Sequence, residues 1–206
     1  ESHSNFKLGN YMKLLKNKTD QEIIHLYING DERGLKELLE RYKNKVYTSI
    51  YVRVKDEYLA EDLFQETFIK VINTFKTGGY NEEGKFLPWV MRIAYNMVID
   101  HFRKQKRAPV VVNADGFDIF EVLTFADDNT ESKIVKQQID TDLKKLIQLL
   151  PDDQKEVLIM RHFCDMSFKE IAEITDVSIN TALGRMRYAL ANLRRMIEER
   201  KLTFQF

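Results

Sequence analysis

The sequence predicts an all-α protein of two small helical domains joined by an acidic linker, the C-terminal one a helix-turn-helix. Charged residues make up 31% of the 206 residues, and there are only 8 glycines and 3 prolines. Apolar residues recur at helical spacing, with little of the alternation that strands show. The expected division is a tail over residues 1–18, a first domain over 19–107, a linker over 108–131 and a second domain over 132–206.

Four helices are expected in the first domain. They are Asp20–Tyr27, Asp31–Arg53, Lys55–Phe75 and a helix from Pro88 to about Lys106. Asn29-Gly30 is a turn signal between the first two, and Pro88 suits the first turn of the fourth. Pro109 ends the domain, and the acidic stretch that follows has no clear period, which is typical of a linker.

The second domain is predicted to end in a helix-turn-helix. The expected helices are Ser132–Leu150, Asp153–Phe163, Phe168–Thr175 and one that begins at Ile179. Ser167 and Glu170 form a capping-box pattern, and Ser178 can cap the last helix. Periodicity gives that helix an inner face of Ile179, Ala182, Leu183, Met186, Leu190, Leu193 and Ile197. Its expected outer face is Asn180, Thr181, Gly184, Arg185, Arg187, Tyr188 and Arg195.

The net charge is zero, yet acidic and basic residues are segregated along the chain. Asp56–Glu66 holds five acidic residues and no basic one, and Asn113–Glu131 holds six acidic and no basic. Arg92–Arg107 holds five basic residues against one acidic, and Arg185–Lys201 six against two. This alternation indicates one nucleic-acid partner and another partner with a basic surface.

Placed at about 100° per residue, the helix that begins at Pro88 separates into two faces. The expected core side holds Val90, Met91, Ala94, Met97, Val98 and Phe102, and the other side Trp89, Arg92, Asn96, Asp100, Arg103, Lys104 and Arg107. A tryptophan among cations is typical of a surface that stacks unpaired bases and holds phosphates. Composition alone favours the alternative, in which Trp89 packs under the loop 78–86 and the cations are solvated.

Several function classes find no support in the sequence. The histidines at 3, 25, 101 and 162 lack ligand spacing, and no glycine motif cradles a phosphate, so we expect no catalytic residue, metal or cofactor. Cys164 is the only cysteine and is expected to be a structural thiol next to a turn. A single cysteine fits a reducing compartment. The chain has no apolar run of about 18 residues and its N-terminus is polar, so we expect a cytoplasmic protein without membrane insertion.

Three segments resemble, in order, bacterial sigma factors of the extracytoplasmic-function class. Ala60–Phe68, read as AEDLFQETF, resembles the polymerase-binding helix of that family. A second segment resembles the promoter-melting helix of that family, through Phe86-Leu87-Pro88-Trp89, Arg92–Asn96 (RIAYN), Asp100, Arg103 and Arg107. Leu150-Pro151 through Leu193 resembles the promoter-reading domain. The resemblance implies a non-enzymatic, two-domain sigma factor over about residues 20–197.

The resemblance also implies a partner for each surface. Core RNA polymerase would be bound by Asp62, Leu63, Gln65 and Glu66. The minus-ten region of promoter DNA would be engaged by Trp89, Arg92, Asn96, Asp100, Arg103, Lys104 and Arg107, while the loop 78–85 captures a flipped base. The minus-thirty-five element would be contacted by Ser178, Asn180, Thr181, Gly184, Arg185 and Arg187. An anti-sigma factor or a DNA-targeting recruiting protein stays open as a further partner.

Two departures from the family pattern bear on the upstream element. Asp176 stands in the turn where the family usually has glycine, and Asp adopts left-handed geometry less readily. Ala182-Leu183-Gly184 replaces a common Val-Lys-Ser, which removes a cation from the recognition helix. We therefore expect weak upstream readout, with promoter choice resting on the first domain or on a second protein. The alternative function is a stand-alone helix-turn-helix regulator, which predicts no role for Asp62, Gln65 and Glu66.

Overall fold

A computed structural model of the chain describes residues 14–81, 84–105, 143 and 145–200, and every regular element in those ranges is helical. The helices are α1 (Asp20–Ile28), α2 (Glu32–Val54), α3 (Glu57–Lys76), α4 (Phe86–Gln105), α5 (Asp152–Leu158), α6 (Phe168–Thr175) and α7 (Ile179–Glu199). A π-helical turn, Ile159–Phe163, continues α5. The predicted linker and most of the predicted helix Ser132–Leu150 lie outside the described residues.

The first three helices begin at side chains that cap them. Thr19 and Glu22 form a reciprocal capping box before α1, which is not among the predictions from the sequence. The Asp31 carboxylate accepts from the Arg33 amide at 3.1 Å, and the Asp56 carboxylate from the Leu59 amide at 2.8 Å. Lys55 ends α2 in the left-handed conformation, with φ 54°. A single residue then separates Lys55 from α3, so α2 and α3 form a tight helical hairpin.

The first domain packs α2, α3 and α4 around one apolar core, with α1 lying across the start of α2. Gly34 allows that close approach, because a β-carbon there would lie 2.7 Å from the Ile23 carbonyl oxygen. The predicted inner residues of α4 divide by depth. Val90, Met91, Ala94 and Val98 are buried, whereas Met97 and Phe102 are half-buried.

The second domain packs α5 and α6 against α7. The segment predicted as one helix from Asp153 to Phe163 changes at Ile159 from α-helical to π-helical geometry, with Ile159 and Met160 buried in the core. The Arg161 guanidinium donates to the Met166 carbonyl oxygen at 2.8 Å, which fixes the connection from this turn to α6. The buried apolar core of the second domain continues into the helix-turn-helix, where Ile171 and Ala182 are buried.

Candidate protein and nucleic-acid interfaces

Helix α3 presents an acidic face made by Asp62, Gln65 and Glu66, all three exposed. The Gln65 side-chain amide donates to the Glu61 carboxylate at 3.0 Å along the helix surface. Leu63 differs from the expectation that it contacts a partner, because it is only 5% exposed and belongs to the core. Its place one residue after Asp62 turns it about 100° away from the acidic face, toward α2 and α4.

Two exposed apolar side chains flank the acidic face and were missed in the sequence. Tyr58 is 85% exposed and Ile69 is 56% exposed. With Asp62 and Gln65 they recur at intervals of four, three and four residues, which is one stripe of a helix. That spacing could have indicated an exposed contact stripe. It was overlooked because the apolar residues of the buried stripe are more numerous and determine the apparent periodicity of α3. The exposed stripe therefore has apolar ends and an acidic centre, a composition that suits a protein partner.

Helix α4 carries the basic face, defined here as Arg92, Asn96, Asp100, Arg103 and Lys104, all exposed. Asp100 lies 3.5 Å from Arg103, a pairing between two exposed groups that leaves the guanidinium accessible. Arg107, predicted to extend this face, lies outside the described residues. The face thus offers three cations and an amide along one side of the helix.

Trp89 is half-buried at the start of α4 and belongs to an aromatic cluster. Its ring lies 4.4 Å from that of Tyr80 and 5.9 Å from that of Phe75, measured between centroids. The packing against Tyr80 fits the interpretation that the loop covers Trp89, and its partial exposure leaves an aromatic surface beside Arg92. Both interpretations of Trp89, packing under the loop and stacking on an unpaired base, are compatible with this half-buried position.

A cavity of about 370 Å³ lies beside Trp89. From the first domain it is lined by Gly79, Tyr80, Asn81, Lys85, Pro88, Trp89 and Arg92, and from α6 by Glu170, Glu173 and Ile174. The loop predicted to capture a base thus contributes an aromatic ring, an amide and a lysine to one concave surface. These groups supply stacking and hydrogen bonding, the two interactions that recognise an unpaired base.

The helix-turn-helix forms as predicted. Ser167 accepts from the Glu170 amide while the Glu170 carboxylate accepts from the Ser167 amide, and Ser178 accepts from the Thr181 amide at 3.0 Å. Asp176 occupies the left-handed region with φ 54° and ψ 47°, the geometry for which the family usually has glycine. An aspartate therefore makes the turn between α6 and α7.

Four predicted upstream-element residues of α7 are exposed and two are not. Ser178, Asn180 and Thr181 are exposed at the start of the helix, and Arg187 is exposed about two turns further along it. Gly184 and Arg185 are half-buried, and the Arg185 guanidinium lies 3.3 Å from the Asp153 carboxylate at the start of α5. Arg185 is thus held within its own domain, which corrects its assignment to the outer face of the helix.

The predicted inner face of α7 is also wrong at three residues. Ile179, Leu183 and Leu190 are 46%, 40% and 48% exposed, and the buried residues are Ala182, Met186, Ala189 and Leu193. The alanines at 182 and 189 let α5 and α6 approach the buried side of α7 closely. The part of the helix surface that these neighbours cover is therefore narrower than the part that carries apolar residues. The three exposed residues form an apolar stripe on α7 that none of the described helices covers.

The described residues with potential for metal or redox chemistry are few and scattered. Among the described residues, no group of His, Cys, Asp and Glu is placed to hold a metal ion. Cys164 is buried, and burial raises the pKa of its thiol to about 12, which fits a structural role. None of the described helices combines the length and the apolar composition that crossing a bilayer requires.

Two family models match the chain, one to each domain. Sigma-70 region 2 matches residues 38–108, and Sigma-70, region 4 matches residues 140–193. A helical protein with a helix-turn-helix in one domain and a basic, tryptophan-bearing helix in the other is of the class of DNA-binding transcription factors. The chain belongs to the sigma-70 family, in its extracytoplasmic-function (ECF) class.

Curated relatives agree over most of the chain. The ECF RNA polymerase sigma factor SigW of Bacillus subtilis (strain 168) is 26% identical over 174 residues, which cover 82% of this chain and 92% of the relative. The ECF RNA polymerase sigma-E factor of Haemophilus influenzae is 28% identical over 187 residues, covering 88% and 95%. Members of this family are transcription initiation factors and not enzymes.

Solved structures share the fold. CnrH in complex with the cytosolic domain of CnrY aligns with a TM-score of 0.57 at 17% identity, covering 88% of this chain and 99% of that chain. The sigma factor RpoE in complex with the anti-sigma factor NepR, from Bartonella quintana, aligns with a TM-score of 0.57 at 20% identity, covering 80% and 96%. Both likenesses show the fold, and the all-α, two-domain fold class predicted from the sequence is confirmed.

Proposed function

We propose that this sigma factor binds core RNA polymerase through the acidic face of α3 and melts the minus-ten region through the basic face of α4. The observation that carries the proposal is the position of Trp89, half-buried between the Tyr80 ring and the cations of α4, beside a cavity of about 370 Å³. A stacking ring, a concave pocket and flanking cations together suit a single strand with one base turned out.

Exposure supports the proposed assignment of the minus-ten residues. Arg92, Arg103 and Lys104 are free to hold phosphates, and the Asn96 amide can donate to or accept from a base edge. Unstacking a base costs a few kcal/mol, and stacking on an aromatic ring recovers about 1–3 kcal/mol per base, so Trp89 supplies a large part of the compensation.

The acidic face is assigned to the polymerase on charge and composition. Asp62 and Glu66 repel nucleic acid but attract a basic protein surface, while Tyr58 and Ile69 add apolar area at either end of the stripe. We extend the predicted contact set by these two residues and remove Leu63 from it. Residues 58, 62, 65, 66 and 69 thus make up the proposed polymerase contact.

The test of this assignment is affinity for purified core polymerase. Asp62→Lys with Glu66→Lys is expected to weaken binding at least about 100-fold, because like charges facing each other in an interface cost several kcal/mol. The matched control reverses two exposed carboxylates on α7, Glu198→Lys with Glu199→Lys, and should bind as the wild type does. Equal polymerase binding by both variants would place the polymerase contact elsewhere on the chain, and no polymerase binding by the wild type would favour the stand-alone regulator.

For the upstream element we propose reduced sequence reading by α7. The exposed polar groups Asn180, Thr181 and Arg187 remain available, but Leu183 and Gly184 supply no hydrogen bond and Arg185 is paired with Asp153. A well-made contact between a side chain and a base edge discriminates by about 1–3 kcal/mol, or five- to 150-fold. Scrambling the upstream element should therefore reduce holoenzyme affinity by less than about fivefold. A loss of affinity greater than fivefold would contradict the proposal.

We further propose that a partner protein, either an anti-sigma factor or a DNA-targeting recruiting protein, controls this chain. Two structural neighbours are themselves in complexes with other proteins, CnrH with the cytosolic domain of CnrY and RpoE with the anti-sigma factor NepR. The apolar stripe of Ile179, Leu183 and Leu190 is the surface that suits it, because it lies uncovered between the helix-turn-helix core and the exposed Arg187 and Arg194.

That partner proposal can be tested by complex isolation. Wild-type protein and a Leu183→Asp, Leu190→Asp variant would be recovered from the native host and their bound proteins compared. A protein retained by the wild type and lost from the variant is the expected result. Bound proteins that are the same for both would place any partner elsewhere on the chain.

A further inference from the structure

Two buried phenylalanine rings support Trp89 from within the first domain. The Phe86 ring lies 6.1 Å from the Trp89 ring and the Phe75 ring 5.9 Å, measured between centroids, and the planes of Phe75 and Trp89 differ by 30°. The Tyr80 ring packs edge-on against the same pair, 5.2 Å from Phe75 and 6.3 Å from Phe86. The orientation of both rings that line the cavity therefore depends on where the two phenylalanines are held.

Helix α1 holds one of these phenylalanines directly and the other through α2. Tyr27, near the end of α1, packs on Phe75 with 5.6 Å between the ring centroids. Tyr42 of α2 packs on Phe86, also at 5.6 Å, and its hydroxyl donates to the carboxylate of Asp20, the first residue of α1. The two supports thus come from opposite ends of the same helix.

Asp20 is itself fixed by Arg41 of α2. The Arg41 guanidinium donates to the Asp20 carboxylate at 2.9 Å and to the carbonyl oxygens of Leu15 and Lys16 at 3.0 and 3.2 Å. The Asp20 and Arg41 side chains are each 22% exposed, so this charge-assisted pair is largely shielded from water. The start of α1 and the segment before it are therefore attached to α2 next to Tyr42.

Helix α1 lies outside the part of the chain that the first family model matches. That match begins at residue 38, whereas α1 ends at Ile28. The contacts of Asp20 and Tyr27 cross this boundary and reach Tyr42 and Phe75 inside the matched part. A helix that precedes the matched region is thus built into the support of Trp89.

We propose that α1 positions Trp89 for strand binding, with Tyr42 and Tyr27 as the positioning residues. The inference rests on the proposed stacking of an unpaired base on Trp89. Stacking requires the ring at a particular distance and tilt. Because protein interiors are close-packed, loss of a supporting ring lets Phe86 or Phe75 shift, and Trp89 shifts with it.

A purely structural role for the two tyrosines makes a different prediction. It predicts a lower free energy of unfolding, with Trp89 unchanged in the protein that stays folded. A positioning role predicts a change at Trp89 in the folded protein. Trp89 is the only tryptophan of the chain, so its intrinsic fluorescence measures that change without any label.

The test uses three variants of the supporting tyrosines. Tyr42→Leu and Tyr27→Leu each remove one ring, from different helices, so a folding defect in one does not decide the result. Tyr42→Phe keeps the ring on Phe86 and removes only the hydroxyl that donates to Asp20. Helix content is checked by circular dichroism before each measurement.

The matched control is Tyr47→Leu in α2. Tyr47 is half-buried, as Tyr42 and Tyr27 are, but its ring packs on Tyr51 and Phe64. The control therefore removes a similar ring from the same domain at a different aromatic cluster. An effect on Trp89 as large as that of Tyr42→Leu would contradict the proposal, because any loss of packing would then be sufficient.

Two quantities are measured on the full chain, acrylamide quenching of Trp89 and affinity for a mixed-sequence DNA single strand. Both leucine variants are expected to raise the quenching and to weaken strand affinity about five- to tenfold, through partial loss of one stacking contact. Tyr42→Phe should weaken affinity about two- to threefold, since one hydrogen bond is lost and the ring remains. Quenching that is unchanged in both leucine variants would overturn the proposal.

A double-mutant cycle tests whether Tyr42 acts through Trp89. In the Trp89→Ala background, Tyr42→Leu should cause no further loss of strand affinity, because the ring that it positions is absent. A loss as large as that in the wild-type background would overturn the proposal. Raised quenching with unchanged strand affinity would support the positioning role and count against strand binding at Trp89, so the two proposals fail separately.

Discussion

The two helices proposed to bind DNA in this protein differ in the groups that they offer to it. Helix α4 combines a half-buried tryptophan, a cavity and exposed cations on one side. Helix α7 offers Asn180, Thr181 and Arg187, but an apolar stripe lies beside them and Arg185 is bound to Asp153. If both helices have the proposed roles, promoter selection in this chain rests mainly on melting, with the helix-turn-helix as a weaker anchor.

Removing the aromatic ring of α4 should give the largest effect. Trp89→Ala is expected to reduce strand opening about 10- to 100-fold, because it removes stacking worth about 1–3 kcal/mol per base. Permanganate reactivity of promoter thymines in the holoenzyme complex measures the opening. Trp89→Phe keeps an aromatic ring beside Tyr80 and should retain most of the strand opening. Opening by the alanine variant within twofold of wild type would mean that α4 is not the main promoter-melting helix.

Cation removal compares the two helices directly. Arg92→Ala with Arg103→Ala should flatten the salt dependence of single-strand affinity by about 1.4 in log–log slope, since each phosphate contact contributes about 0.7. The matched pair Arg187→Ala with Arg194→Ala on α7 should leave that slope unchanged. Equal changes of the salt-dependence slope in the two double variants would mean that the single strand contacts α4 and α7 equally.

Equipping α7 with the missing groups should narrow the difference. Leu183→Lys with Gly184→Ser restores the cation and hydroxyl of the common family pattern, and a β-carbon at 184 meets nothing within 4 Å. Affinity for upstream duplex DNA is expected to rise about fivefold, with a steeper salt dependence from the added phosphate contact. The single variant Gly184→Ser separates the gain in helix propensity from the gain in charge, and no gain from the double variant would mean that α7 does not face the duplex.

Local signals in the sequence predicted the fold well. Capping at Ser167 and Ser178 fixed the starts of α6 and α7, because these side chains satisfy amides within three residues of themselves. The apolar periods of α3 and α4 placed the core and left Asp62, Glu66 and Arg92 outside it. Each of these features depends on contacts between near neighbours in the chain.

The features that were missed depend on contacts between distant residues. Arg185 reads as an outward cation on its own helix, and only the position of Asp153 on α5 turns it into an internal partner. Arg53 and Glu156 are 103 residues apart, and nothing in either helix indicates that they meet. Leu183 and Leu190 are apolar residues whose exposure is decided by how far α5 and α6 extend over α7.

The turn between α6 and α7 should give the smallest effect. Asp176 has φ 54°, which costs a non-glycine residue about 1 kcal/mol, and Asp176→Gly relieves that cost while adding freedom to the unfolded chain. The two contributions oppose each other, so we expect the free energy of unfolding to change by less than about 1 kcal/mol in denaturant titration. Asp176→Ala keeps the strained geometry without the local hydrogen bonding that an aspartate offers, so it should be less stable than both. An increase well above 1 kcal/mol for the glycine variant would mean that the turn is strained, and that this strain, in addition to the missing polar groups, weakens α7 as a reader of DNA.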